Sequence, residues 1–531
     1  MERILFLIAV VIIVCVAFQR ISDKVGIPGL FVFIMLGMLF GSDGIFKLAF
    51  DNYDFANQIC TVALIFIMFY GGAGTKWSQA KPVAVKAIVL SSVGTILTAG
   101  FVGLFCYFVL HFKMLESFLV GAVICSTDAA SVFSILRSKK MNLKYSTASL
   151  LEVESGSNDP FSYMMTIVVL SLMKGGKVSV GSIARLLISQ VVIGLICGFV
   201  IAYVTRQLLI RWNLKESGLD TTFMVAVALL SYMIPTMLNG NGYLSVYITG
   251  ILLGNSDIPN KKAIIHFFND LTGLMQMLLF FLLGLLAFPS YLPGIMGAAL
   301  LIALFLTFVA RPAAVALTLL PFKCKLNQQL FVAWAGMRGA ASIAFAIMAT
   351  TDPAYLQNDI FHIVFFIVLF SILIQGTLLP AVAKKLNMID ENGDVMKTFN
   401  DYADELPLQF IQFTVSADHE WQDKTVAEIS LPPESMLVLI IREGKKIVPK
   451  GDTVLHLGDR VILSGREPGK VTDVELYERV IEENDDWANL TLAEIPNKNH
   501  LVILIRRGDS VIIPSGDTKL NFGDVLVINK F

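Results

Sequence analysis

The chain has 531 residues, 55% of them hydrophobic, and a mean hydropathy of +0.70. These values exclude a water-soluble globular protein of this size and indicate a polytopic membrane protein. The formal net charge of −1 gives no reason to expect a nucleic-acid partner.

Apolar stretches close to the ~20 residues that cross a bilayer recur through residues 1–385. With shorter stretches included where Gly or polar residues interrupt them, they predict about thirteen spans. The first is interpreted as a retained span rather than a signal peptide, because no small-residue cleavage site follows it. The spans centre near residues 11, 35, 65, 97, 126, 158, 195, 229, 249, 276, 306, 339 and 371.

Positive charge concentrates in alternate connections between these spans, for example at Lys76, Lys144, Lys261 and Lys384. The other connections carry few lysines and no arginine. By the positive-inside rule, the C-terminus is predicted to be cytoplasmic. With an odd number of spans, the N-terminus is then predicted to lie outside.

Two of the predicted spans are interrupted. The fifth contains Cys125-Ser126-Thr127-Asp128 and the twelfth contains Ala335-Gly336-Met337-Arg338-Gly339-Ala340. Their positions correspond if the chain is two inverted six-helix repeats around a central seventh span. Paired broken helices of this kind mark transporter binding sites, because they expose helix ends and backbone carbonyls in mid-membrane.

Residues 151–161 place three carboxylates, Glu152, Glu154 and Asp159, in a predicted span. Each charge at the bilayer centre costs about 2.5 to 3.5 kcal/mol on insertion scales, so these carboxylates indicate a functional site. At helical spacing they fall on two neighbouring stripes. One stripe holds Glu152, Ser155 and Asp159, and the other holds Glu154 and Asn158.

Asp159 is the predicted exchange residue, because a desolvated carboxylate can hold either a proton or a dehydrated monovalent cation. Ser155, Thr127 and backbone carbonyls of the interrupted fifth span are predicted to supply neutral oxygens to a bound K⁺ or Na⁺. Asn158 is expected to hold the local structure or to orient Asp159.

The other charges are given different roles. Glu154 is predicted to form a structural ion pair with Arg338, because an intramembrane glutamate needs a partner and the two repeats should meet there. No partner is assigned to Arg311. Asp128 is expected to compensate the positive end of a half-helix. Glu152 marks the cytoplasmic approach to the site or is a solvated glutamate at a helix end.

After Lys385 the composition becomes polar, which predicts a linker over 386–404 and a soluble domain over 405–531. This domain contains a tandem repeat, 405–470 and 480–531, in which Gly458-Asp459 recurs as Gly523-Asp524. Its short β-branched runs predict β-hairpins, and each Thr-x-x-Glu, at Thr425 and Thr491, predicts the start of a short helix. The domain is therefore expected to be α+β.

Three motifs together, Glu154-Ser-Gly-Ser-Asn-Asp159, Ser126-Thr-Asp128 and Gly336-Met-Arg-Gly339, resemble the NhaP-type monovalent cation/proton antiporters over about residues 1–385. The Asn-Asp pair is typical of the electroneutral branch, which implies one cation exchanged per proton. The resemblance also implies Asp159 as the shared cation and proton site, an ion pair of Glu154 with Arg338, a homodimer and a bacterial inner-membrane location.

The tail is similar to the C-terminal ligand-binding subdomain of the regulators of potassium conductance. This combination is typical of the potassium/proton antiporters of the cell-volume-regulation subgroup and favours potassium. No Gly-x-Gly-x-x-Gly follows a predicted strand, so no NAD cofactor is expected. A cyclic dinucleotide or another small regulatory ligand of the tail is implied by the resemblance alone.

Three other functions would use some of the same residues. A sodium/proton antiporter would use the same oxygen chemistry, so the sequence leaves the transported ion open. An intramembrane aspartyl protease could use Asp128 and Asp159, but its Gly-x-Gly-Asp motif is missing. A potassium channel would need a filter like Thr-Val-Gly-Tyr-Gly, which is also missing. The favoured interpretation is a transporter and not an enzyme.

Overall fold

The fold is known from a computed structural model, which divides into two compact units, Met1–Glu405 and Leu406–Phe531. Of the predicted linker 386–404, residues 391–404 lie outside the described part of the chain. The structure describes residues 9–18, 29–48, 50–139, 141–175, 180–212, 218–354, 358–390, 408–416, 419–432, 435–442, 445–466, 476–482, 485–495, 500–507, 510–512 and 514–530.

The first unit is a bundle of apolar helices. By length and composition, eight of the described helices can cross a membrane, and four shorter apolar helices accompany them. This confirms the predicted polytopic α-helical class, while the number of thirteen spans stays a prediction. The helices are α1 Ala9–Phe18, α2 Gly29–Phe40, α3 Tyr53–Gly74, α4 Ala84–Phe108, α5 Met114–Ile124, α6 Ala129–Ser138, α7 Thr147–Met173, α8 Val180–Trp212, α9 Leu219–Met237, α10 Gly242–Gly254, α11 Lys261–Leu286, α12 Pro289–Phe322, α13 Leu326–Trp334, α14 Ala340–Thr351 and α15 Ile360–Lys385, with a four-residue helix, Trp77–Ala80, between α3 and α4.

Both predicted interruptions are breaks between helices. The first separates α5 from α6, and the second separates α13 from α14. The two breaks contact each other, since the backbone N–H of Asp128 donates to the carbonyl of Met337 at 2.8 Å. Gly339 permits this approach, because a Cβ at its position would lie 2.4 Å from Cβ of Asp128.

Helix α7 carries the stretch of carboxylates and continues through Pro160. Because proline has no N–H, the carbonyl of Gly156 has no donor four residues further along the helix. Apolar side chains of α7, among them Leu150 and Leu170, are buried in the main hydrophobic core. The helix therefore passes through the interior of the bundle, where its polar side chains need partners inside the protein.

Helices α3 and α10 cross at glycines. A Cβ at Gly72 would lie 2.4 Å from the carbonyl oxygen of Tyr247, and a Cβ at Gly250 would lie 2.4 Å from that of Phe69. Small residues let the two backbones touch at this crossing. This contact fixes the position of Tyr247 along the axis of α3.

The second unit contains two four-stranded antiparallel sheets with the same topology. The first has the order β1-β4-β2-β3 and the second has the order β5-β8-β6-β7. The predicted repeat is therefore visible in the strand order. The strands are β1 Leu408–Thr414, β2 Ser435–Arg442, β3 Lys445–Ile447, β4 Arg460–Arg466, β5 Leu476–Val480, β6 His500–Arg507, β7 Ser510–Ile512 and β8 Val525–Lys530.

The repeated Gly-Asp dipeptide has the same conformation in both sheets. Gly458 and Gly523 adopt φ values of +85° and +84°, in the region that favours glycine. The aspartates that follow are buried, and each accepts a 2.8 Å hydrogen bond from Nε of an arginine, Asp459 from Arg442 and Asp524 from Arg507.

The prediction that each Thr-x-x-Glu opens a short helix is wrong. Residues 425–428 and 491–494 form turns, and the described residues of this unit contain strands and turns without a helix. The glutamates do reach back as in a capping box, since Glu428 accepts from the backbone N–H of Thr425 at 2.9 Å. In the first copy the segment pairs with a neighbouring segment, since the backbone N–H groups of Val426 and Ala427 donate to the carbonyls of Thr453 and Gly451, each at 2.9 Å.

Candidate functional site: a carboxylate at the crossing of two broken helices

Asp159 lies inside α7 beside the break between α5 and α6. Ser126, in that break, donates a hydrogen bond from its hydroxyl to Oδ1 of Asp159. Ser126 was not among the predicted site residues. The signal for it was present, because it lies beside Thr127 in the same polar interruption of an apolar run.

Two further side chains of α7 hold the break in shape. Ser155 donates to the carbonyl of Thr127 at 2.8 Å and accepts from the backbone N–H of Ala129 at 3.0 Å. Asn158 donates from Nδ2 to Oγ1 of Thr127 at 2.5 Å. The two bonds of Ser155 satisfy backbone groups that the broken helix leaves unpaired, and the bond of Asn158 fixes the side chain of Thr127.

The structure places Asp159, Ser155 and Thr127 on one cavity wall. Ser155 was expected beside Asp159 from helical spacing, and Thr127 was expected there from the interruption of the fifth span. The side chain of Asn158 is fully buried and bonds to Thr127, which matches the local structural role expected for it.

Asp128 lies at the start of α6. Its carboxylate accepts from the backbone N–H of Ser131 at 3.2 Å and from the hydroxyl of Ser131 at 2.5 Å. This is the geometry of a side chain capping a helix N-terminus, where negative charge is stabilised.

The structure corrects the predicted partner of Glu154. Oε1 of Glu154 accepts a 2.5 Å hydrogen bond from Nη2 of Arg311 on α12, and both side chains are buried. Arg338 instead donates from Nη1 to the carbonyl of Ser126 at 2.8 Å. The carbonyl of Ser126, next to the broken helix, lacks a helical donor and so accepts a hydrogen bond from Arg338, whereas Arg311 supplies the charge that Glu154 needs.

A cavity of about 490 Å³ reaches Asp159. Its wall includes residues of both breaks and of α3, α7, α10 and α11. Glu152 lies on this wall, where the approach to the site was predicted. Among the polar residues that line the cavity are Ser126, Thr127, Asp128, Glu152, Ser155, Asp159, Tyr247, His266, Asn269 and Gln276.

A helical bundle in which two broken helices contact each other beside a cavity lined by carboxylates is the architecture of secondary transporters. Residues 6–385 match the family described as sodium/hydrogen exchanger, transmembrane, and residues 410–469 and 476–528 match the TrkA-C domain. The chain belongs to the sodium/hydrogen exchanger family, which confirms the resemblance seen in the sequence motifs.

Several similar proteins are named as cation/proton antiporters. The K(+)/H(+) antiporter NhaP of Alkalimonas amylolytica is 31% identical over 86% of this chain and 80% of its own length. The K(+)/H(+) antiporter NhaP2 of Shewanella sp. strain ANA-3 is 30% identical over 86% of this chain and 79% of its own. The Na(+)/H(+) antiporter NhaH of Halobacillus dabanensis is 28% identical over 62% of this chain and 84% of its own.

The fold is also that of a solved antiporter. The sodium proton antiporter MjNhaP1 from Methanocaldococcus jannaschii superposes with a TM-score of 0.64, covering 73% of this chain and 99% of that chain at 24% identity. At this level of identity the likeness concerns the fold alone.

Proposed function

We propose that this protein is an electroneutral potassium/proton antiporter, in which one K⁺ and one H⁺ compete for Asp159. The observation that carries the proposal is the position of Asp159, beside the break between α5 and α6 and on the wall of a cavity of about 490 Å³. A carboxylate in such a place is neutral with a proton or with a bound monovalent cation. Exchange follows because the two occupants exclude each other.

Neutral oxygens complete the proposed cation site. The hydroxyls of Ser126 and Ser155 and the side chain of Thr127 line the same cavity as Asp159. K⁺ and Na⁺ are both bound by oxygen ligands of this kind. The hydroxyl of Ser126 now donates to Asp159, so it must turn its lone pair toward the cation when the cation enters.

Potassium is favoured over sodium by the relatives at 30% and 31% identity, which are named K(+)/H(+) antiporters and match most of this chain. Transport by alternating access requires that the cavity open to one side of the membrane at a time. The end of the cavity near His266 lies close to Lys261 and Lys262 in the chain, on the side that the positive-inside rule assigns to the cytoplasm.

The proposal is tested with purified protein in liposomes that contain a pH-sensitive dye. Addition of KCl should move protons in wild-type protein, and the rate should not depend on an imposed membrane potential. Asp159→Asn should abolish the signal, whereas Asp270→Asn, which changes an exposed carboxylate on α11, should keep it. Substantial K⁺-dependent or Na⁺-dependent proton movement by Asp159→Asn would refute the assignment of Asp159 as the exchange site. A response of wild-type protein to NaCl but not to KCl would refute potassium as the transported ion.

The tandem TrkA-C unit is proposed to regulate transport from the cytoplasm by binding a small ligand such as a cyclic dinucleotide, in a homodimer in a bacterial inner membrane. The match to the TrkA-C domain supports a regulatory unit. A protein truncated after residue 400 should still exchange cations but lose its response to added cyclic dinucleotide. Identical responses of the full-length and truncated proteins would refute this role.

A further inference from the structure

Tyr247 on α10 reaches the cavity of Asp159 from a helix that contributes no predicted site residue. Its side chain is 2% exposed, and it lines the cavity together with Asp159 and Ser155. The hydroxyl makes no hydrogen bond of regular geometry, and the side chains of Ser157 and Thr75 interact with it only weakly. A buried tyrosine hydroxyl normally has a partner, so its missing partner needs an explanation.

The position of this hydroxyl is set by close packing. A Cβ at Gly156 would lie 2.5 Å from Cε2 and 2.7 Å from the hydroxyl oxygen of Tyr247, so the tip of the ring lies directly against α7. On the other side, the carbonyl of Tyr247 touches α3 at Gly72. The backbone of Tyr247 is therefore fixed against α3 while the tip of its ring packs against α7, which leaves the hydroxyl little freedom to move.

The backbone beneath the ring also has a carbonyl group without its regular helical donor. Because Pro160 has no N–H, the carbonyl of Gly156 lacks its helical donor. Gly156 is three residues before Asp159 and lines the same cavity. Two neutral oxygens, the hydroxyl of Tyr247 and the carbonyl of Gly156, thus lie within one helical turn of the carboxylate.

We propose that the hydroxyl of Tyr247 is an additional ligand of the monovalent cation bound at Asp159. A dehydrated alkali cation takes several oxygen ligands, and a lone pair on an unpaired buried hydroxyl is available to it. This ligand comes from α10, whereas the ligands proposed above come from α7 and the break before α6. The inference rests on the proposed function, because it needs Asp159 to bind the cation.

The test compares Tyr247→Phe with Tyr243→Phe. Tyr243 lies one turn earlier on α10, is 3% exposed, packs its ring 4.9 Å from that of Tyr163 and lines a different cavity, of about 100 Å³. Each change removes only a hydroxyl. In liposomes, Tyr247→Phe should raise the apparent KM for K⁺ about five- to tenfold with little change in the maximal rate, and Tyr243→Phe should leave the apparent KM unchanged.

Thermal unfolding in detergent separates a ligand from a packing residue. Without added cation, Tyr247→Phe should melt at or above the wild-type temperature, because it removes a polar group that has no partner. Addition of KCl or NaCl should then raise its melting temperature by less than that of wild type. A lower melting temperature with an unchanged response to cation, or a wild-type apparent KM, would overturn the inference.

Asp159→Asn distinguishes the two proposals. If it abolishes the stabilisation by cation while Tyr247→Phe keeps it in full, only the assignment of Tyr247 fails. If Asp159→Asn keeps the full stabilisation, the cation is bound elsewhere and both proposals fail.

Discussion

Arg311 donates a 2.5 Å hydrogen bond to Glu154, 157 positions away in the chain. The two side chains are 2% and 1% exposed, so the pair is shielded from solvent. It joins α7, which carries Asp159, to α12. A buried ion pair of this kind adds little net stability. Burying either charge without the other, however, would strongly destabilise the protein.

We expect Glu154→Gln to destabilise the protein by about 3 to 5 kcal/mol, because it leaves the guanidinium of Arg311 buried without a counter-charge. The melting temperature in detergent should fall clearly, while the apparent KM for the cation in the fraction that remains folded should change little. The measurement is a thermal unfolding series on wild-type and variant protein, followed by transport in liposomes.

A double-mutant comparison decides which arginine is the partner. Adding Arg311→Met to Glu154→Gln should restore part of the lost stability, since both charges are then removed. Adding Arg338→Met should not, because Arg338 bonds to the carbonyl of Ser126. Stronger coupling of Glu154 to Arg338 than to Arg311 would show that the observed pairing is not the one that matters.

The choice between these two arginines marks what sequence can and cannot reveal. The polar interruptions at 125–128 and 335–339 were readable because small and charged residues break apolar runs, and both are helix breaks. The two stripes of α7 were also readable, and Glu154 does face away from the cavity that Asp159 lines. The partner of Glu154 could not be predicted from the sequence. It depends on how α12 is rotated against α7, and the spacing of residues within either helix does not determine that rotation.

The C-terminal unit shows the same limit of prediction from sequence. The repeat of Gly458-Asp459 as Gly523-Asp524 predicted equivalent structure, and both aspartates bind an arginine in the same way. The Thr-x-x-Glu motif predicted a helix, since it has the spacing of a capping box. It caps a turn instead, because a local cap does not determine whether the following residues can continue the helix.

Asp524 should make the stability of the second sheet sensitive to acid. The hydrogen bond from Arg507 lowers the pKa of this buried carboxyl below its usual range, more than burial raises it. A lowered pKa in the folded state means that stabilisation is complete above the unfolded value of about 3.9 and is lost as the pH falls through the folded value. We therefore expect protection of β8 in the full-length protein to decrease below about pH 4.

The measurement is hydrogen exchange with mass spectrometry on peptides that contain β8, corrected for intrinsic exchange rates. Asp524→Asn should lower protection already at pH 7, by about 1 to 3 kcal/mol, because Arg507 loses a charged acceptor. Asp517→Asn changes an exposed carboxylate in the same copy and should have no effect. Equal protection in Asp524→Asn and wild type at pH 7 would refute a stabilising role for the pair.

Gly339→Ala should damage the crossing of the two broken helices. The new methyl group would lie 2.4 Å from Cβ and 2.6 Å from Oδ2 of Asp128. Cβ cannot move without the backbone, and the carboxylate is held by two hydrogen bonds from Ser131. We expect a destabilisation of about 1 to 3 kcal/mol from this overpacking and a loss of transport. Gly297→Ala on α12 is the control, since nothing lies within 4 Å of the added methyl. A Gly339→Ala protein with wild-type melting and transport would show that the breaks can separate without loss.

Ser126→Ala should move the pH dependence of transport upward. Ser126 donates a hydrogen bond to Asp159, and a carboxylate that loses such a bond holds its proton more tightly. The bond contributes about 0.5 to 1.5 kcal/mol, and one pH unit corresponds to about 1.4 kcal/mol, so half-maximal exchange should shift by about 0.5 to 1 pH unit. Liposome assays over a pH series measure the shift.

Ser131→Ala removes the same kind of bond from Asp128 and should leave the midpoint unchanged. A shift of equal size in both variants would mean that the two carboxylates titrate together, and no shift in Ser126→Ala would remove Ser126 from the exchange site.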